Sequence, residues 1–269
     1  MSRWLRTGVA LVVTAVLLFP LYWMVNASLL PSDALVSRTP TWLPIHGSLA
    51  GYRNALSSQG GHLLISLLVS TGTVALTLLI AVPAAYGIAQ LHAPGRRVLM
   101  FALLIAQMIP GIVMAGAFFQ AADRLGLIDN PLALVLADST LCVPFATLTL
   151  QAFLREIPAE LGEAASVDGA SPLRVLWSVM LPLSRNSLIT AGLFSFLFAW
   201  ADFLFGVTLT TSDSHAPVTV GIYRFIGAHI SDWNSVMATG VIASLPAALL
   251  LVIAQRYVAA GITNGAVKD

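Results

Sequence analysis

The sequence predicts an all-α membrane protein of six transmembrane helices with both termini on the cytoplasmic side. Three observations lead there. First, 58% of the 269 residues are hydrophobic and only 9% are charged, with a mean hydropathy of +0.87. A soluble domain carries about 45–50% apolar and about 25% charged residues, so this much apolar surface calls for a lipid solvent. Second, six segments stay apolar long enough to cross a bilayer, which takes roughly 20 residues of helix. Third, the basic residues gather on one side of those segments.

The first segment, residues 7–29, follows Arg3 and Arg6. Val25-Asn26-Ala27 resembles a signal-peptide cleavage site, but the apolar stretch is longer than the usual 7–15 residues of a secretory core, so an uncleaved helix is expected. The remaining spans are residues 63–89, 98–120, 131–153, 186–210 and 236–255. Pro20, Pro83, Pro110, Pro144 and Pro246 fall inside spans. A bundle tolerates such breaks where neighbours or water satisfy the freed carbonyls, which suits helices bent around a cavity. Gln107, Met108 and Pro110 predict a kinked polar stretch in the third span. Two long connections, residues 30–61 and 212–235, are expected on the extracytoplasmic surface, and one, residues 154–185, in the cytoplasm.

Orientation follows from charge. An inside N-terminus places Arg3, Arg6, Arg96, Arg97, Arg155, Arg174, Arg185, Arg256 and Lys268 in the cytoplasm and leaves Arg38, Arg53, Arg124 and Arg224 outside. That is nine of the 13 basic residues against four, in line with the positive-inside rule.

The cytoplasmic connection reads as two short helices. Pro158 suits a first helical turn, and Glu160 and Glu163 favour its positive end. Gly169 permits a reversal that a side chain would resist, Ser171 caps the second helix, and Pro172 opens it. Pro182 is expected to end it. Glu156, Glu160, Glu163 and Asp168 argue against a loop lying on anionic headgroups. A partner protein is the better reason for a charged hairpin so near the membrane.

Glu163-Ala164-Ala165, Asp168-Gly169-Ala170 and Leu181-Pro182, preceded by Ile157-Pro158-x-Glu160-Leu161, resemble the signature of binding-protein-dependent ABC importer permeases. The resemblance implies the type I importer permease fold, with 1–269 as one transmembrane permease domain. It also implies that the hairpin is a coupling helix inserted into an ATPase subunit, with Glu163 engaging a basic residue there and Gly169 making the bend. Tyr22-Trp23-Met24, Ala27-Ser28-Leu29, Trp42-Leu43-Pro44, Tyr52 and Trp200-Ala-Asp202-Phe-Leu-Phe205 look like the smaller six-helix carbohydrate permeases of maltose type. The ending Gly265-Ala266-Val267-Lys268 is similar to theirs and implies a tail at the ATPase interface.

No Gly-x4-Gly-Lys-Ser/Thr loop occurs, so hydrolysis is expected on another polypeptide, which would bind ATP and Mg. No cofactor, catalytic residue or metal is assigned to this chain. The lone Cys142 excludes an internal disulfide, and His46, His62, His92, His215 and His229 share no ligand spacing. The net charge of +1, without a basic face, argues against nucleic acid. The implied partners are a second permease forming a heterodimer, two ATP-binding subunits, and an extracytoplasmic sugar-binding protein of lipoprotein type.

Acids inside a membrane suggest function. Asp138 and Asp202 lie at similar depth in the outer half, ~10 Å and ~12 Å into their spans at 1.5 Å per residue. On the fifth helix Asp202 shares a face with Ser195, Phe198, Ala199, Phe205 and Gly206, at spacings of three, four and seven. A carboxylate among rings suits a sugar, so Asp202, Phe198, Phe205 and Asp138 are the expected substrate-path residues. The alternative is an ion-coupled secondary transporter with Asp138 or Asp202 as carrier.

Overall fold

A computed structural model describes residues 3–45, 47–91, 93–228 and 232–266. His46, His92 and His229, and Val267 and Lys268 of the tail, lie outside the described residues. Helices occur in the order α1 (Arg3–Leu29), α2 (Ser32–Leu35), α3 (Ala50–Ala89), α4 (Arg96–Gln107), α5 (Gly111–Arg124), α6 (Pro131–Leu154), α7 (Ala159–Val167), α8 (Pro172–Val175), a π turn (Leu176–Met180), α9 (Leu181–Leu183), α10 (Arg185–Ala201), α11 (Leu204–Leu209), α12 (Val218–Ala228) and α13 (Trp233–Ala266). No strand occurs among the described residues. Four helices are long and apolar enough to cross a membrane, or five spans if α4 and α5 form one bent crossing. The chain divides into two compact units, Met1–Leu63 with Val220–Pro246 and Leu64–Thr219 with Ala247–Asp269.

In the first unit, α1 is exposed until its last turn, where Asn26, Ala27 and Ser28 are buried. The final carbonyls of a helix lack intrahelical partners, and here a side chain from the far end of the chain supplies them. Asn234 Nδ2 donates to the Ser28 carbonyl at 2.9 Å and the Leu30 carbonyl at 2.6 Å. Gly51 lets the backbone come this close, since a Cβ there would lie 2.1 Å from Asn234 Oδ1. Asn26 Nδ2 donates to the Thr41 carbonyl at 2.8 Å, the Ser28 and Tyr52 hydroxyls pair at 2.7 Å, and the Tyr22 hydroxyl donates to the Trp42 carbonyl. Tyr22, Ser28, Trp42 and Tyr52 thus tie the end of α1 to the chain that follows it.

Two connections expected to be loops are largely helical. Residues 50–61 extend α3 to 40 residues, so the helix starts well before the predicted span. Gly60 and Gly61 do not stop it. A helical glycine costs about 1 kcal/mol, which packing of the same segment can offset. Such packing is present: Gly221 of α12 faces Gln59 and His62 so closely that a Cβ would sit 2.5 Å from Gln59 Oε1. Residues 218–228 of the other connection form α12.

The second unit is built on α6, the most buried of the long apolar helices. One apolar cluster joins Ala81, Ala85 and Tyr86 of α3 to Ala146, Leu150 and Leu154 of α6, and to Val175, Leu176 and Met180. Another joins Val69, Ala115, Leu134, Ala137, Phe205 and Leu209. The kink predicted around Pro110 is a bend of 97° between α4 and α5. It follows from the missing proline N–H and the restriction on the residue before it.

Two expectations need correction. The fifth span is not one helix: α10 ends at Ala201, Asp202 is extended (φ −62, ψ 133), and α11 begins at Leu204. Helical spacing across that break therefore does not place Asp202 on a common face with Ser195, Phe198 and Phe205. Nor does Pro182 end the second helix of the hairpin, which continues through Leu183. The π turn at Leu176–Met180 lies just ahead of it. Widening the helix there relieves the clash a proline ring makes with the preceding turn.

Candidate functional site

The hairpin at residues 154–185 starts where α6 ends. Gln90, just past α3, donates through Nε2 to the Leu154 carbonyl at 2.6 Å and the Ile157 carbonyl at 3.1 Å. The base of the hairpin is thereby fastened to two long helices at once. Helix α7 follows Pro158, and its chain reverses at Gly169, whose φ of +84 lies in the region glycine tolerates best. Ser171 Oγ then accepts from the Arg174 N–H at 3.4 Å, with Pro172 as the first helical residue. The turn and the second cap match the sequence expectation.

The two arms pack through small residues. A Cβ on Gly162 would meet the Met180 methyl at 3.0 Å, so the arms approach within a side chain of each other. Ala165 and Leu181 are half-buried against the cluster beneath, while Glu163, Ala164, Asp168, Gly169 and Pro182 are exposed. Val167, Leu173 and Trp177 are also exposed, at 87%, 66% and 64%. Acids on a helix beside bare apolar side chains make a surface suited to a protein groove. The sequence reading found the acids and missed Val167, Leu173 and Trp177, whose exposure depends on which face the arms bury.

The four residues expected along a substrate path differ in their surroundings. Asp202 is half-buried and caps α11, its carboxylate accepting from the Gly206 N–H at 2.9 Å and the Phe205 N–H at 3.4 Å. Its carbonyl accepts from the Thr219 hydroxyl at 2.6 Å. Phe198 is half-buried and stacks on Phe194, which stacks on Phe145 at 3.7 Å. Phe205 is 1% exposed and meets Phe118 edge-on. Asp138 is also 1% exposed, within electrostatic reach of Asp202.

Asp138 is one of several buried polar residues with an unpaired oxygen. Its Oδ1 and the hydroxyls of Ser139, Ser70, Thr73 and Thr77 are buried without a hydrogen-bond partner among the described residues. Each buried unpaired group costs about 1–3 kcal/mol. Several together rival the ~5–15 kcal/mol that holds a whole domain folded.

A third carboxylate, missed in the sequence, shapes the end of this unit. Asp129, ahead of α6, accepts from the Thr211 N–H at 2.7 Å, the Ser212 N–H at 2.8 Å and the Thr211 hydroxyl. Its own N–H donates to the Leu209 carbonyl at 3.0 Å. The Thr211 hydroxyl and then the Ser212 N–H hold its carboxyl down at about 2. The Asp-Asn-Pro run at 129–131 is a turn-and-cap signal that would have flagged it.

Comparison with known proteins adds the following. The family described as "Binding-protein-dependent transport system inner membrane component" matches residues 45–264. The sulfoquinovosyl glycerol transport system permease protein SmoH of Agrobacterium fabrum is 32% identical, over 93% of this chain and 89% of its own length. The trehalose transport system permease protein SugB of Mycobacterium tuberculosis is 34% identical, over 93% of this chain and 92% of its own. Among solved structures, a bacterial ABC transporter involved in the import of the acidic polysaccharide alginate matches with a TM-score of 0.83 and 22% identity, covering 96% of this chain and 98% of that one.

Proposed function

The chain belongs to the inner-membrane components of binding-protein-dependent transport systems, and on that premise we propose that it forms half of the translocation channel of an ATP-driven sugar importer. The observation that carries this reading is the exposed hairpin of α7–α9, fastened to α3 and α6 through Gln90 and carrying the family's Glu-Ala-Ala and Leu-Pro residues. The transport of trehalose and of a sulfosugar glycerol by its relatives supports a sugar or sugar derivative as cargo.

Six crossings are formed by α1, α3, α4 with α5, α6, α10 with α11, and α13, with both termini in the cytoplasm. Helix α10 is 17 residues long, just short of a full span, and α11 supplies the remainder. This arrangement puts residues 154–185 in the cytoplasm, and residues 30–61 and 212–235 outside. Glu163, Ala164, Ala165, Asp168 and Gly169 then face an ATPase subunit, which binds ATP and Mg. Leu181 and Pro182 hold the second arm. A second permease completes the channel, and an extracytoplasmic binding protein delivers the sugar. Asp202 and Phe198, each partly exposed, contribute to the path. Asp138 and Phe205 support it from within the bundle.

The test is a charge reversal. In the purified assembly, Glu163→Lys abolishes substrate-stimulated ATP hydrolysis while the permease pair still forms and binds its binding protein. Unchanged stimulation would remove the hairpin from the mechanism.

A further inference from the structure

The unpartnered hydroxyls of α3 and α6, with Asp138, call for something the chain itself does not provide. Thr73 and Thr77 of α3 are 0% exposed, Asp138 of α6 is 1% and Ser139 is 4%. Gly72 lies against the Val135 side chain and Gln90 reaches the Leu154 carbonyl, so α3 and α6 run parallel in steady register. That register sets Thr73 and Thr77 on either side of the level of Asp138 and Ser139. A threonine inside a helix commonly turns its hydroxyl back to the carbonyl one turn earlier. Thr71, on the exposed side of the same helix, does so to Leu67 at 2.7 Å. Thr73 and Thr77 do not, and their oxygens stay unpaired. Four groups on two helices, all capable of donating or accepting, are thus held at one depth in the interior.

We propose that Thr73, Thr77, Asp138 and Ser139 enclose a buried site for ordered water between α3 and α6. Buried water typically makes two to four hydrogen bonds to polar groups the chain leaves unpaired, and this set offers them. Water also suits a bundle that must shift. It exchanges partners when α3 and α6 move by a fraction of a turn, whereas a direct Thr–Asp bond would fix one arrangement. The site needs only the packing of this bundle and stands whatever solute the transporter carries.

Cys142 is a native reporter of such water. It lies one turn beyond Asp138, is 0% exposed and touches the Ser195 hydroxyl. Met180 offers a matched control, a sulfur at 1% exposure inside the apolar cluster. Radiolytic hydroxyl-radical labelling forms radicals from bound water where it lies. Applied to the assembled transporter in lipid nanodiscs, it should give a ratio of Cys142 to Met180 oxidation several-fold above the intrinsic thiol-to-thioether ratio measured on the unfolded protein. In the Thr73→Val, Thr77→Val protein, whose side chains keep their shape, that ratio should fall to the level of a dry site. A ratio no higher than the intrinsic one in the unaltered protein would overturn the proposal. So would a ratio that changes when sodium is replaced by choline, because the occupant would then be a cation.

Discussion

Asp129 has a φ of 61, a backbone conformation rare for any residue but glycine and one that Asp tolerates better than most. It is held there by the three donors of Thr211 and Ser212. Its carboxyl sits at about 2 against an ordinary 3.8. The folded value is the lower one, so its contribution to stability is complete above about 4 and is lost as pH falls toward 2. Thermal unfolding of the purified protein across that window should show this loss, and Asp129→Asn should flatten it. Gly169 makes the complementary case: a Cβ meets no atom there, yet φ is +84. Gly169→Ala should therefore cost about 1–2 kcal/mol through the backbone alone, with Gly169→Asn recovering part of it in the same denaturation assay. Gly169 was legible because its cost is local to the turn. The face expected for Asp202 was misread because the apolar run is continuous in sequence, and nothing in it announces the break between Ala201 and Leu204.

Among the elements, the hairpin depends on its anchor. Gln90→Ala removes both bonds to the carbonyls at 154 and 157 while leaving α3 and α6 intact. ATP hydrolysis by the assembly should then continue at its basal rate and lose part of its stimulation by substrate. Packing of α6 is tested separately by Leu150→Ala. That side chain is 1% exposed, and its truncation should cost about 2–5 kcal/mol in detergent unfolding. The sequence showed the hairpin, the kink at Pro110 and the core spans, since these follow from proline, capping residues and apolar length. It did not show that α3 begins at Ala50 or that residues 218–228 coil, because the first segment is polar and glycine-rich and the second, though apolar, is too short to read as a span. The passage of the helix through Pro182 depends on the π turn before it, which no residue of Leu176–Met180 announces.

For the molecule as a whole, the account divides the labour. This chain provides bent and broken helices and a handle, and a separate subunit supplies the energy. The composition made the membrane legible, and the hairpin signature pointed to the family. The cargo was not legible, because the acids and rings proposed for the path are spread over a break and a buried seam rather than gathered in one motif. The most direct measurement is uptake of radiolabelled sugar into proteoliposomes, with and without the ATPase subunits, the second permease and the binding protein. The account predicts uptake only from the full assembly with ATP, unaffected by collapsing the ion gradients. Accumulation driven by a proton or sodium gradient through this chain alone would contradict it.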